Sequence, residues 1–438
     1  MLSFTPIESN LAPVQAKPLN HTRREKIIEV CLIWHSVYSA NMGVNALTYT
    51  TLRYLEEVAE QLQICFDYTI LGRGVRAEDR SIDEIVIDNK RISFTFEKLN
   101  IPNKLDRLGL DSLRISSKWL FSEFRPYIKK LAQYDLVLDM GEGDSFTDIY
   151  GPTRFIQLSL TKVLTLMAGT PLVLLPQTIG PFNHFPSRII ANQLLKRIPY
   201  VYPRDQTSLR YLENSIQARS FREYLDVAFY LPYQQYHFTP AKTHVGINVS
   251  ALLWHGGYTK DNMFNLQADY QRIIFDIIRS FVNRKDVEVH LIPHVVFSGK
   301  LLTEDDYTVA EKIHQDIPET VLAPGFESPV EAKSYISGLD YFLGARMHSC
   351  IAAYSTGVPV IPMAYSRKFS GLFLSSLGYP VMVDLQYDDH QTVLQKVLNG
   401  FENRHLLRQA ILDKKSMVED NITAFRRTLT EIIKEAVL

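Results

Sequence analysis

The stretch from Asp340 to Tyr365 holds the residues best suited to bind an anion and act on it. An apolar strand candidate, Tyr341-Phe342-Leu343, runs into Gly344-Ala345-Arg346-Met347-His348, and a helical stretch from Ser349 to Thr356 follows. Arg346 and His348 thus fall where a strand ends and a helix begins, among backbone N–H groups that no helical turn satisfies. The helix dipole is positive there, which favours a phosphate or carboxylate. The arginine adds a planar, two-pronged grip on such a group. His348 adds an imidazole, a side-chain type suited to proton transfer in water, and so a candidate general acid. The plainer reading pairs Arg346 with a neighbouring acid and leaves His348 to cap the helix.

Other candidates are scattered along the chain. Arg204 follows the strand candidate Tyr200–Tyr202 and precedes the helical run Ser208–Leu212. Its plain reading is a surface pair with Asp205, worth little. Lys368 sits in a loop able to reach the same anion, with Arg367 beside it read as solvated. Glu142 and Asp144 open a strand-end loop, where a carboxylate can act as base, hydrogen-bond hydroxyls or cap a helix. Trp254, in Trp254-His255-Gly256-Gly257-Tyr258, would suit stacking on a sugar face if exposed, and a loop anchor if not. His290 and His294 have the i, i+4 spacing of a zinc helix. The segment Val287–Pro293, however, reads as a strand ending at proline, and the spacing supplies no further ligands, so no metal is assigned. His294 is better placed as a strand-end residue facing a cleft. Gly141-Glu142-Gly143 lacks the continuation of a dinucleotide fingerprint, and no P-loop is present.

Taken together, Gly344-Ala345-Arg346-Met347-His348, Ala352-Ala353, Gly357-Val358-Pro359 and the run from Tyr365 through Lys368 to Gly371 resemble the signature of polysaccharide pyruvyl transferases. Further landmarks occur in that family's order: Gly141 to Asp144, Gln177 to Pro181, Arg204-Asp205 with Ser208, Asp226, and Ile292-Pro293-His294. The resemblance covers Val30 to Gly378 and implies a glycosyltransferase-B-like pair of Rossmann-type domains. It implies transfer of the pyruvyl group of phosphoenolpyruvate onto two hydroxyls of a sugar, in a glycan or lipid-linked acceptor, to give a ketal and phosphate. On this resemblance Arg346, Arg204, Lys368 and His294 are expected to hold the donor, and His348 with Arg346 to catalyse. Glu142, Asp144, Asn41 and Trp254 are expected on the acceptor side. Phosphoenolpyruvate is then a co-substrate, and neither metal nor organic cofactor is expected. Two departures fall on the acceptor side: Val44 stands where the family usually shows an acid, and Glu142 and Asp144 stand where small residues are usual. A glycosyltransferase using a nucleotide sugar and a non-catalytic relative that binds sugar or anion remain the rival readings.

These residues need elements to hold them. Short β-branched runs alternate with helical patterns, which predicts parallel sheets with helices on both faces. Ile27–Trp34, Tyr68–Leu71, Leu136–Met140, Pro171–Leu175 and Tyr200–Tyr202 read as strands of a first domain, 25–235, with a hairpin at Ile85–Phe96 turning on Asp88-Asn89-Lys90. The pattern restarts at His244–Val249, Val287–Ile292, Tyr341–Leu343 and Val358–Ile361, a second domain over 240–400, and 401–438 reads as a helical segment. Ligands of such α/β sheets sit outside the carboxyl ends of the strands, where the candidates above lie.

Composition agrees with an ordinary two-domain chain. Its 438 residues are 46% hydrophobic and 22% charged, with 47 basic against 48 acidic side chains. That balance argues against nucleic acid as a partner, since no cationic excess exists to displace counterions from phosphates. Cys31, Cys65 and Cys350 are widely spaced, which suits a reducing compartment, and a cytoplasmic location is expected. Residues 1–24, with Pro6, Pro13 and Pro18 and no apolar core, read as a disordered lead-in rather than a signal peptide. The apolar stretch Ile156–Ile179 is interrupted by Lys162 and Gly169-Thr170-Pro171, so it reads as a buried helix and strand and not a membrane span. Association into a homo-oligomer is left open.

Overall fold

The computed structural model describes residues 26–73, 80–99, 117–143, 146–216, 219–297 and 303–437. The expected lead-in and Asp144 lie outside the described residues. The chain forms two sheets. The first contains β1 (Ile27–Ile33), β2 (Cys65–Gly72), β3 (Arg80–Ile87), β4 (Lys90–Lys98), β5 (Leu136–Asp139), β6 (Leu172–Gln177) and β7 (Tyr200–Pro203). Their order is β3-β4-β2-β1-β5-β6-β7, parallel throughout except for the antiparallel pair β3-β4. The second contains β8 (Thr243–Asn248), β9 (Val287–Leu291), β10 (Val321–Leu322), β11 (Tyr341–Gly344), β12 (Val360–Ala364) and β13 (Val383–Asp384). It is wholly parallel, in the order β10-β9-β8-β11-β12-β13. This is the doubly wound α/β fold expected from the alternating pattern.

The interior strands are buried on both sides, which is why they read as unbroken apolar runs instead of alternating ones. β3, at the edge, alternates between exposed and half-buried residues along most of its length. Its hairpin turns on Asp88 and Asn89, both in the left-handed region at φ 48° and 64°, as a tight two-residue turn requires. Strand order reverses between β1 and β5 in the first sheet and between β8 and β11 in the second. The crevices at these two reversals are where ligands bind in such sheets, and the loops carrying Glu142 and Arg346 leave from them.

The last helix, Lys415–Val437, returns to the first sheet's side of the molecule. Arg426 Nη1 pairs with Glu57 Oε2 at 2.9 Å, the Leu225 amide donates to Asn421 Oδ1 at 2.9 Å, and Phe425 packs edge-on to Tyr54. The end of the chain thus packs against the half in which the chain began. Among the described residues no helix is long and apolar enough to cross a membrane.

Candidate active site

The second sheet supplies Arg346 and His348 from one loop. β11 ends at Gly344, and the helix Met347–Ser355 begins at once, closed beyond Thr356 by Gly357 at φ 83°. Asn248, at the end of β8, ties the junction down: its Oδ1 accepts from the Arg346 amide at 3.0 Å and from Ser349 Oγ at 3.2 Å. The Arg346 guanidinium is gripped by Asp306, with Nη2 2.8 Å from Oδ1 and Nε 3.2 Å from Oδ2. Burial disfavours the charge on Arg346, but Asp306 outweighs it and holds the guanidinium protonated well above its usual range. Asp306 is itself fully enclosed, accepting further bonds from the Ala251, Val295 and His294 amides at 2.9, 3.1 and 3.3 Å. The neighbouring acid of the plainer reading therefore exists. It leaves the Nη1 edge of Arg346 without a partner among the described residues.

Arg204 comes from the first sheet, directly after β7. The expected surface pair with Asp205 is not what forms. Arg204 is 1% exposed and donates from Nη1 to Asp226 Oδ2 at 2.7 Å and from Nε to Thr178 Oγ1 at 2.9 Å. Asp205 turns instead to cap the helix Gln206–Ser215, accepting from the Ser208 amide at 2.8 Å. The remaining nitrogen of Arg204, Nη2, faces Met347 Sδ of the opposite half at 3.7 Å. A thioether is a weak acceptor, so this N–H is open to a better one.

The halves meet at His348. Its Nε2 lies 3.5 Å from Asp226 Oδ2, close enough for attraction without a well-formed hydrogen bond. Burial pushes the Asp226 carboxyl up, but Arg204 and His348 more than reverse this and hold it at about 2. Behind the imidazole stands the start of the helix Met42–Leu62. A Cβ at position 43 would lie 2.2 Å from His348 Nδ1, so only glycine lets the helix approach this closely. Asn41 caps that helix through Oδ1, accepting from the Gly43 amide at 2.9 Å, and its backbone bridges to Val295 across the cleft. The Met42 amide donates to the His294 carbonyl at 3.0 Å.

His294 completes the cluster with a buried Nδ1 that has no hydrogen-bond partner among the described residues. Burial, with His348 and Arg346 nearby, pushes it down to about 3, so its ring is neutral at physiological pH. It can hydrogen-bond a ligand but cannot supply a proton as an imidazolium. His290, four residues earlier, lies on β9 and bonds to His244.

Other expectations are corrected. The loop that carries Glu142 does sit beside the cluster, since a Cβ on the next residue, Gly143, would come within 3.7 Å of His348 Cε1. Its carboxylate, however, pairs with Arg154 at 2.9 Å instead of standing free as a base. The buried Lys162–Asp139 pair, 2.9 Å, anchors this loop by letting Asp139 Oδ1 accept from the Gly141 amide at 2.9 Å. Trp254 is 6% exposed and packs edge-on to Phe275 at 5.7 Å, so it presents no face to a sugar. Lys368 is half-buried with its Nζ 5.6 Å over the Tyr365 ring. Arg367, expected in solvent, is half-buried and reaches across to the Ile179 and Gly180 carbonyls of the first half. Nothing in the local sequence marks the partners of Asp306, Asn248 and Arg367, so their roles emerge only from the packing. Asp226 was visible only as a family landmark.

The site residues lie within a stretch that matches a known family. Residues 41–367 match the profile of the polysaccharide pyruvyl transferases. The chain belongs to that family. A pyruvyl transferase fold of this kind also has relatives at greater distance. The amylovoran biosynthesis protein AmsJ of Erwinia amylovora is 24% identical over 319 residues, covering 68% of this chain and 74% of AmsJ. The sucrose-phosphate synthase of Thermosynechococcus elongatus superposes with a TM-score of 0.56 at 10% identity, covering 93% of this chain and 98% of the synthase. The apo structure of OtsA gives 0.50 at 9% identity, covering 94% and 99%. At these identities the structural matches establish the fold, which is glycosyltransferase-B.

Proposed function

We propose that the protein is a ketal-forming pyruvyltransferase. It moves the pyruvyl group of phosphoenolpyruvate onto two hydroxyls of a sugar in a glycan or lipid-linked precursor, as a step in polysaccharide biosynthesis. The observation that supports this most is the meeting of the loop that carries Arg346 and His348 with the Arg204–Asp226 pair of the opposite half, His348 Nε2 lying 3.5 Å from Asp226 Oδ2. A donor bearing both a phosphate and a carboxylate needs two cationic grips. Arg346 Nη1 has no partner among the described residues, and Arg204 Nη2 meets only the Met347 thioether, so each arginine keeps a nitrogen for the donor.

In this reading His348 protonates the methylene carbon of the enolpyruvyl group, making it a methyl and leaving positive charge on the adjacent carbon. A sugar hydroxyl attacks that carbon and loses its proton. Phosphate then leaves with its bonding electron pair, and the second hydroxyl closes the ketal with loss of its own proton. Asp226 orients the imidazole and stays anionic throughout. His294 contributes a neutral hydrogen bond. The arginines offset the donor's charge, so the reaction itself calls on no metal. The side chains of Arg346 and His348 are 10% and 11% exposed, so the halves must part to admit substrate and close again, as lids and domains do in enzymes that exclude water.

The test is incubation with phosphoenolpyruvate and candidate lipid-linked and free glycans. Release of phosphate matched by a pyruvyl ketal in the mass spectrum of the glycan supports the reading. Release of a nucleoside diphosphate from a nucleotide sugar, with no phosphate from phosphoenolpyruvate, would replace it with glycosyl transfer.

A further inference from the structure

The second sheet gathers two histidines and a glutamate on β8 and β9, within the strands and not in the loops beyond them. His244 and Glu288 are register partners on these parallel strands, and His290 follows on β9 two residues along, on the same face. His244 Nδ1 lies 2.9 Å from His290 Nε2, and Glu288 Oε1 lies 3.5 Å from each of these nitrogens. Ligand atoms around a tetrahedral zinc, bonded at about 2.0–2.2 Å, stand about 3.3 Å apart. The observed triangle brackets that spacing.

The outer atoms of the three side chains are held as metal ligands require. His244 Nε2 is 2.9 Å from the Thr239 carbonyl, which can only accept, so the ring carries its proton there and turns a bare Nδ1 inward. His290 Nδ1 is 2.8 Å from the Tyr335 hydroxyl. Lys242 Nζ holds Glu288 Oε2 at 3.2 Å, leaving Oε1 directed at the imidazoles. Such outer partners fix ring orientation and tautomer at metal sites. The Phe238 ring packs on both imidazoles, with centroids 4.6 and 4.7 Å away. Glu288 is 29% exposed, which leaves a path for water to a fourth position.

We propose that His244, Glu288 and His290 bind a divalent transition metal, zinc foremost, and that the ion fastens β8 to β9 within the second sheet. Two imidazoles and one carboxylate form a donor set that suits zinc. Without metal the same groups satisfy one another: Tyr335 donates to His290 Nδ1, and His290 Nε2 donates to His244 Nδ1. Metal entry shifts the His290 proton to Nδ1, where the Tyr335 oxygen accepts it. The site takes no part in pyruvyl transfer.

The test uses the full chain, stripped with a chelator, dialysed and titrated with zinc by calorimetry and with cobalt(II) by visible absorption. One equivalent of each is expected to bind, with the ligand-field band of four-coordinate cobalt and a melting temperature raised by several degrees. His244→Gln and Glu288→Gln should each abolish the band and the thermal shift while leaving turnover unchanged below the melting point. Should His244→Gln fail to fold, the partly exposed Glu288→Gln decides alone. Tyr335→Phe, which removes only an outer partner, should weaken zinc binding about 10–100-fold. Stripped protein that takes up neither ion overturns the proposal. So does uptake that survives the Gln substitutions.

Discussion

Arg346 and Arg204 each end at a buried aspartate, 2.8 Å from Asp306 in one half and 2.7 Å from Asp226 in the other. The two acids are not equivalent. Asp306 is saturated within its own half, where three backbone amides and both prongs of Arg346 converge on it. Asp226 also faces His348 across the cleft at 3.5 Å. The first pair is a strut that fixes the Arg346 loop to the start of the helix Asp306–Asp316. The second connects the halves, so its state can depend on whether the cleft is open or closed. Like pairs can thus have unlike surroundings, one closed within a half and the other facing the cleft between the halves.

His348→Gln breaks the comparison at its centre. Glutamine can hydrogen-bond a phosphate but cannot deliver a proton, so turnover should fall about 10²–10⁴-fold. Binding of phosphoenolpyruvate, read by calorimetry, should stay near the wild-type value. Survival of turnover within a few-fold would move the acid role off His348.

Asp306→Asn tests the strut. Leaving Arg346 buried without its counter-charge should cost about 3–5 kcal/mol, visible as a lowered denaturant midpoint with an unchanged slope. Asp226→Asn should cost a similar amount but also change the pH profile of the rate, which a purely structural acid would not do.

Arg204→Ala and Arg346→Ala should each weaken donor binding by about 2–5 kcal/mol. Arg→Lys should recover only part of it, because an ammonium cannot reproduce the planar fork. Donor affinity left intact in both alanine variants would remove these arginines from the donor site.

The acid limb of stability sharpens the contrast further. Asp226 is held at about 2 against an ordinary 3.8, a shift worth about 2 kcal/mol. A depressed carboxyl stabilises the fold fully above its unfolded value and loses that contribution as pH falls from about 4 toward 2. Asp226→Asn should remove this part of the acid transition, measured by denaturant titrations across that range. The smallest expected effect is on turnover after exhaustive chelation, which should not fall at temperatures below melting. A magnesium requirement would make Glu142 and Asp226 ligand candidates.

The strand-to-helix junction at Arg346 and His348 was legible because it is local. A short apolar strand, a polar loop and a helix closed by Gly357 can be read from adjacent residues. The β3-β4 hairpin was legible for the same reason, through Asp88-Asn89. The burial of Trp254 and the reach of Arg367 were not, because a side chain's exposure depends on what packs over it, and that comes from elsewhere in the chain.

By itself, the sequence determined the alternation of strands and helices, and with it the placing of Arg204, Arg346 and His348 at strand ends. Backbone preference and apolar period act over a few residues and need no distant partner. Tertiary structure alone decided that Arg204 pairs with Asp226 and not Asp205, that Asp306 encloses Arg346, and that Gly43 backs His348. These choices turn on which buried charges and N–H groups are left to satisfy one another once both sheets have formed, a condition that no local stretch of sequence contains.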